Sequence, residues 1–121
     1  MKIPGPDHPI TITPNRGRVR VSAGGIVIAD TTHALTLKEA RYPAVQYIPR
    51  KDANLAALSR TDRVTHCPYK GDANYFSVMT GGSAIENAVW IYETPFPAVA
   101  EIAGHLAFYP DRITIEELPA G

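Results

Sequence analysis

Short runs in which hydrophobic and polar residues alternate dominate this chain, and they predict β-strands. Residues 18–22 alternate with a period of two, residues 23–25 form a permissive Ala-Gly-Gly turn, and residues 26–29 read as a more buried strand. A period of two places apolar side chains on one face of a strand, so this segment predicts a β-hairpin. Further strands are predicted over residues 34–37, 44–48, 75–79, 88–92, 106–109 and 113–118. Residues 38–41, beside one of these strands, are also compatible with a helical turn.

Two short segments carry helix signals. Asp52 is a candidate N-cap for a helix over residues 53–59. A second helix is predicted to open after Thr94 and to end near Gly104, where a glycine C-cap would fall. No helix long enough to connect parallel strands alternates with the strands, which disfavours a parallel sheet. The predicted fold class is mainly β: a single-domain distorted antiparallel β-barrel or folded sheet with two short helices.

The first fifteen residues differ from the rest in their proline content. Four of the 11 prolines fall here, and the segment has little periodicity. Because proline supplies no amide donor to a β-ladder, we expect residues 1–15 to form an extended arm on the surface or on a neighbouring subunit. Residues 16–121 then form a single β domain.

The charge balance narrows the class of partner. The 121 residues suit one domain, and 12 Lys and Arg side chains balance 12 Asp and Glu side chains. A nucleic-acid partner is therefore not expected, since such proteins normally carry a basic excess on one face. Residues 1–7 lack the apolar region of a signal peptide, and no apolar run is long enough to span a bilayer. We expect a cytoplasmic protein without a membrane partner.

Residues 65–76 hold the densest group of reactive side chains, including Cys67, the single cysteine. A thiolate is a nucleophile, and nearby cations such as Lys70 favour it, so Cys67 and Lys70 are the candidate catalytic residues. The candidate bases are His66, His33 and His105. The alternative is a buried, inert cysteine, since free Cys is among the most buried residue types.

Several cations near this segment suggest an anion site. Lys70 is accompanied by Arg50 and other basic residues, and arginine forks match carboxylate or phosphate oxygens. Tyr47 and Arg50 lie where a predicted strand gives way to a helix, a common place for ligand groups. A P-loop motif is absent from the sequence. The alternative is that these charges lie on a solvated face.

Residues 86–93 add an aromatic strand. Ala88, Trp90 and Tyr92 alternate onto one face, which can either stack on a flat ligand or fill the core. Glu86 and Glu93 flank this strand, and a glutamate of raised pKa can act as a general acid or base. The candidate ligand-binding residues are Tyr47, Arg50, Tyr69, Asp72, Glu86, Trp90 and Tyr92. No metal site or cofactor is predicted, because closely spaced pairs of Cys or His ligands are missing.

The segments 47–52, 67–75, 86–95 and 102–110 resemble a bacterial domain family of unknown function. Its Cys-Pro-aromatic-Lys-Gly motif matches residues 67–71, and the resemblance covers residues 15–118. Labels for that family sometimes read nucleotidyltransferase-like. The resemblance implies a compact, mostly β fold similar to the Mss4-like topology, in which a distorted sheet closes over a cavity.

Three hypotheses of function follow. The first is a domain whose pocket around residues 67–72 binds a small molecule, for which an anionic compound is a candidate. If Cys67 is reactive, this domain is an enzyme. The second is a non-catalytic interaction module, such as a homodimer, that uses the proline-rich arm and the sheet edges. The third, implied by the family label, is nucleotidyltransferase-like phosphate chemistry with Lys70 and Arg50 as anion clamps.

Overall fold

The computed structural model describes residues 1–119, which form two antiparallel sheets. The strands are β1 (Ile10–Pro14), β2 (Arg18–Ala23), β3 (Ile26–Thr31), β4 (Leu35–Glu39), β5 (Val45–Pro49), β6 (Leu58–Cys67), β7 (Gly71–Met79), β8 (Ala84–Ile91), β9 (His105–Phe108) and β10 (Thr114–Leu118). Seven strands form one sheet in the order β1-β4-β5-β9-β8-β7-β6, and three form the other in the order β10-β2-β3. This confirms the mainly β, antiparallel fold class. The larger sheet is open, with β1 and β6 at its edges, so the fold is a folded sheet and not a closed barrel.

The predicted β2–β3 hairpin is confirmed. Gly24 and Gly25 form its turn with φ of 57° and 79°. Positive φ at both central residues is the geometry that fits the right-handed twist of the flanking strands, and glycine adopts it without steric cost. Lys38 and Glu39 belong to β4, so the helical alternative for that segment is wrong.

The helical segments are short 3₁₀ turns over Arg50–Asp52, Leu55–Ala57 and Pro97–Ile102. Asp52 does not cap a helix, because its carboxylate accepts a hydrogen bond from the Thr31 hydroxyl at 2.6 Å. The helix predicted over residues 53–59 is reduced to the turn Leu55–Ala57, because β6 begins at Leu58 and pairs with β7.

The predicted arm is shorter than residues 1–15. Ile10–Pro14 forms β1 and pairs along its whole length with β4, so the expectation that proline keeps this segment out of a ladder is wrong. The reason is position: Pro9 precedes the strand and Pro14 is its last residue, so the residues between them keep their amide donors. Residues 1–9 precede the strand, and the Lys2 amide donates to the Pro68 carbonyl at 2.7 Å.

No strand was predicted over residues 65–74, but they belong to the hairpin that β6 and β7 form. Cys67 ends β6 and pairs with Gly71 at the start of β7, which leaves only residues 68–70 for the turn. Gly71 has φ of 110°, a conformation that side-chain-bearing residues rarely adopt.

Each face of the larger sheet carries its own apolar cluster. The first cluster lies between the two sheets and includes Val19, Val21, Ile28, Ile48, Val78, Val89, Ile91, Leu106 and Phe108. The second cluster lies on the opposite face and includes Leu37, Tyr47, Ala73, Tyr75, Tyr92, Val99, Ile102 and Ala107. Within residues 1–119 no helix is long and apolar enough to cross a membrane.

Candidate functional site

A cavity of about 350 Å³ opens on the face that carries the second cluster. Its lining residues are Leu37, Glu39, Tyr42, Pro43, Val45, Tyr47, Lys70, Tyr75, Trp90, Tyr92 and Tyr109. Five of the six tyrosines and the single tryptophan of the chain therefore meet at one place.

Strand register explains why these aromatic side chains share a face. Trp90 pairs with Tyr75 on one side and with Ala107 on the other, and directly paired residues point the same way. Tyr92 and Tyr109 each lie two residues beyond members of this row, so strand alternation returns them to the same face. The larger sheet thereby collects side chains from strands far apart in sequence.

Trp90 is held in place by two aromatic neighbours. Its indole Nε1 donates to the Tyr47 hydroxyl at 3.3 Å, and the two rings meet edge to face. The Tyr109 ring lies 4.6 Å from the indole, centroid to centroid, at an interplanar angle of 48°. Trp90 is only partly buried. Its ring is therefore both fixed in orientation and able to contact a ligand.

Ala88 does not share this face, contrary to the prediction from alternation. It is buried in the first cluster, whereas Trp90 packs against the second. A bulge causes the difference: Phe76 pairs with Val89, but the next pair is Val78 with Ile85. Asn87, inside the bulge, has φ of 51°, which resets the alternation.

An ion pair forms one wall of the cavity. The Lys70 ammonium donates to a Glu39 carboxylate oxygen, and the two side chains are 10% and 14% exposed. His8 Nε2 lies 2.8 Å from the other carboxylate oxygen. Burial would raise the pKa of Glu39, but the hydrogen bonds from Lys70 and His8 outweigh it and hold that pKa below its usual value. Glu39 is therefore charged at neutral pH, and it already neutralises Lys70.

A phenol pair forms another part of the lining. The Tyr75 hydroxyl lies 3.0 Å from the Thr65 hydroxyl and 3.3 Å from the Tyr109 hydroxyl. Burial would raise the pKa of Tyr75, but hydrogen bonds from Thr65, Tyr109 and Arg63 outweigh it and lower that pKa. Burial, followed by the hydrogen bond to Tyr75, raises the pKa of Tyr109 to about 12. Tyr75 is thus the phenol of this pair that loses its proton more easily.

The deeper phenols stay protonated. Burial is the main cause that raises the pKa of both Tyr47 and Tyr92 well above the usual range for tyrosine. Both therefore keep a hydroxyl proton at neutral pH. They supply the cavity with neutral polar groups within an otherwise aromatic wall.

Two guanidinium groups lie over the rings of the phenol pair. The Arg63 guanidinium carbon is 5.0 Å from the centre of the Tyr75 ring, and that of Arg112 is 5.1 Å from the centre of the Tyr109 ring. Within residues 1–119, neither guanidinium forms a salt bridge with a carboxylate. Two cationic groups thus lie against two of the lining rings, although neither arginine itself lines the cavity.

The structure brings together four of the residues singled out from the sequence. Tyr47, Lys70, Trp90 and Tyr92 all line the cavity. Cys67 is close to them without lining the cavity: it is partly buried and packs against the second cluster.

The other predicted ligand-binding residues do not line the cavity. Exposed Arg50 lies 3.7 Å from Glu93, and Tyr69 stacks on His8 with ring centroids 3.9 Å apart. Asp72 is exposed, as is Glu86.

The candidate bases are directed elsewhere as well. His66 is adjacent to Cys67 in a strand and so points to the opposite face, where its Nδ1 lies 2.7 Å from Asp72. His105 is bonded to the Ala103 carbonyl, and His33 is exposed.

Sequence reasoning missed seven of the eleven lining residues, and four of these seven carry a polar group: Glu39, Tyr42, Tyr75 and Tyr109. Tyr75 and Tyr109 did fall in predicted strands, and an aromatic residue at alternating strand positions was the available signal. Glu39 had no such signal, because its contact with Lys70 spans 31 residues and depends on how the strands order in the sheet. Within the part of the chain that is described, no group of three or more His, Cys, Asp or Glu residues is arranged to hold a metal ion.

Comparison with known families gives one match. The family model NTP_transf_9, described as a domain of unknown function (DUF427), matches residues 11–118. The chain belongs to the DUF427 family. This confirms the predicted membership of a family of unknown function, whereas the Mss4-like topology stays a prediction. A search of curated proteins found no match to this DUF427 domain.

Proposed function

We propose that this domain binds a small, flat organic molecule carrying an anionic group in the aromatic cavity. The observation that carries the proposal is the gathering of five tyrosines and a partly exposed tryptophan around about 350 Å³ of space. Ligand pockets typically measure roughly 300–1,000 Å³ and combine apolar walls with a few polar groups. The cavity has this size and this composition.

The flat shape of the ligand is inferred from the ring arrangement. Trp90 and Tyr109 are tilted by 48° to each other and border the same space. Aromatic rings bind other flat groups by offset stacking or edge-to-face contact. A planar ligand between these two rings would stack on one and meet the other at an angle. The hydrogen bond to Tyr47 holds the Trp90 indole in this orientation before the ligand binds.

The position of the anionic group is inferred from the charges. Lys70 attracts an anion only weakly because Glu39 neutralises it, and Glu39 itself repels an anion at that wall. Arg63 and Arg112 lie over two rings of the lining, and neither has a carboxylate partner in the described residues. The Arg112 guanidinium also donates to the Glu86 and Asn87 carbonyls. The anionic group is therefore placed near Tyr75 and the arginines, and the neutral part of the ligand near Glu39.

No reaction is assigned to the cavity. The Lys70 amine is engaged with Glu39, and Cys67 lies beside the cavity and not in its lining. The predicted catalytic roles of Cys67 and Lys70 thus stay predictions, and binding is the function that the geometry supports best.

The single tryptophan supplies a clean test. Because the chain has one indole, its Nε1–H group gives one NMR resonance, which reports on the cavity directly. We expect 4-hydroxybenzoate to shift this resonance in a saturable titration, and the neutral 4-hydroxybenzamide to bind more weakly. Absence of a shift with both compounds would count against the proposal, and equal affinities would count against the anionic group.

Matched variants locate the charge preference. Arg63→Gln and Arg112→Gln are each expected to weaken binding of 4-hydroxybenzoate several-fold and to leave 4-hydroxybenzamide unchanged. Arg16→Gln is the control, since Arg16 is exposed like the two test residues but lies over neither of the two lining rings. A loss of the same size in all three variants would contradict the assigned role of the two arginines.

A further inference from the structure

We infer that the ligand also carries an apolar extension, which passes between β5 and β9 into a second cavity on the other side of the larger sheet. This inference rests on the proposed function, because it concerns the same molecule. It specifies the ligand further as an elongated compound with a flat anionic head and an aliphatic tail.

The passage exists because β5 and β9 separate. They pair only at Ile48 with Leu106 and at Pro49 with His105. Both strands continue beyond these pairs: β5 stays paired with β4 back to Val45, and β9 stays paired with β8 to Phe108. Regular pairing would bring Gln46 opposite Phe108, but no such pair forms. The sheet therefore opens between two strands that are each held firmly on their outer sides.

The second cavity begins at this opening. It has a volume of about 390 Å³ and shares Tyr42, Pro43, Val45 and Trp90 with the aromatic cavity. Its remaining lining residues are Ala44, Gln46, Phe108, Pro110, Ile115 and Glu117. Phe108 and Ile115 belong to the cluster between the two sheets, so this cavity lies on the opposite face. A molecule that touches Trp90 in one cavity is thus already at the entrance of the other.

The chemistry of the second cavity indicates an aliphatic occupant. Most of its lining is apolar, and its amide and its carboxylate, Gln46 and Glu117, are already engaged. The Asn15 amide donates to Gln46 Oε1 at 3.1 Å and to Glu117 Oε1 at 3.2 Å. The Thr36 hydroxyl also donates to Gln46 Oε1, at 2.9 Å. An apolar tail leaves these bonds intact and removes the apolar walls from water.

The test compares 4-hydroxybenzoate with 4-hexyloxybenzoate, in which a hexyl chain replaces the phenolic hydrogen, by isothermal titration calorimetry. 4-Methoxybenzoate, which lacks the same hydrogen, shows how much of any difference comes from the lost donor. We expect the hexyl ether to bind at least about tenfold more tightly, because each methylene taken out of water contributes to affinity. Ala44→Phe should remove this gain, since Ala44 is exposed and lines only the second cavity. The same variant should leave the affinity for 4-hydroxybenzoate unchanged.

Ala56→Phe is the matched control, because Ala56 is exposed and lines neither cavity. Equal affinities of the two compounds for the wild-type chain would overturn the inference while leaving the proposed function intact. A gain that persists in Ala44→Phe, with circular dichroism showing a folded protein, would overturn the proposed path. Binding of neither compound would instead overturn the proposed function.

Discussion

The ion pair in the cavity wall predicts an asymmetric response to mutation. Glu39 has two partners, Lys70 and His8, whereas Lys70 has Glu39 as its only carboxylate partner within residues 1–119. Neutralising Glu39 therefore leaves a nearly buried ammonium group without a counter-charge. Neutralising Lys70 leaves a carboxylate that keeps its contact with His8 at 2.8 Å. We expect Glu39→Gln to lower the free energy of unfolding more than Lys70→Met does.

The size of the effect follows from burial. Breaking a fully buried ion pair by removing one partner costs about 3–5 kcal/mol. Side-chain exposures of 10% and 14% place this pair near the lower end, so Glu39→Gln should cost about 3 kcal/mol. Lys70→Met should cost about half of that, because the Glu39 carboxylate keeps its hydrogen-bond contact with His8 and the methionine fills the same space. The double variant should be more stable than Glu39→Gln alone, since it leaves no unpaired charge.

Urea unfolding followed by the fluorescence of Trp90 measures all three free energies in one assay. Lys51→Met is the control, because Lys51 is 70% exposed and lies 3.9 Å from Asp52. It should change the free energy of unfolding by about 0.5 kcal/mol or less. A cost for Lys70→Met equal to or above that for Glu39→Gln would refute the reasoning, as would strictly additive costs in the double variant.

Three further predictions concern the hairpin, the phenol pair and acid stability. Gly71→Ala should lower the free energy of unfolding by about 1–2 kcal/mol, because a residue with a side chain is strained at φ of 110°. Gly82→Ala is the control and should have little effect, so equal urea midpoints for the two variants would contradict the assigned strain at Gly71. Tyr75→Phe should remove the phenol that titrates below the usual tyrosine pKa of 10.0, which a tyrosinate absorbance titration against the wild-type chain measures. Cationic hydrogen-bond partners, outweighing burial, hold three carboxyl pKa values below their usual 3.8 or 4.5, those of Asp30, Glu39 and Glu93. Their stabilisation is complete above these usual values and is lost as the pH falls through the lower folded-state values, so urea unfolding should show stability that declines in acid, and a rise there would contradict the assignment.

The sequence predicted the features that depend on neighbours along the chain. Period-two alternation located the first strand of the β2–β3 hairpin, and short apolar runs rich in β-forming residues located the strands that carry Tyr47 and Trp90. Alternation failed at Ala88, because the bulge at Asn87 depends on pairing with β7, which no local pattern records. Proline content also gave a wrong prediction for residues 10–14, because prolines stand only at the two ends of this strand and leave its interior amides free to pair.

The candidate site was predictable only in part, because it depends on the order of strands in the sheet. Lys70 was recognised as a functional candidate, but its partner Glu39 ends β4, which is four positions from β7 and five from β6 in that order. The prediction of an open anion-attracting lysine consequently missed its neutralisation. The role of Cys67 was open between reactive and buried, and its partly buried position beside the cavity lies between the two.

Binding in the aromatic cavity is tested most directly by intermolecular NOEs between the ring protons of 4-hydroxybenzoate and the protein. We expect NOEs to the rings of Trp90 and Tyr109, which border the cavity and are tilted by 48° to each other. We also expect the ring protons next to the carboxylate to lie closest to Tyr75, the ring over which the Arg63 guanidinium lies. NOEs to other surfaces, with the Trp90 indole resonance unmoved, would contradict the central claim that this aromatic cavity is the binding site.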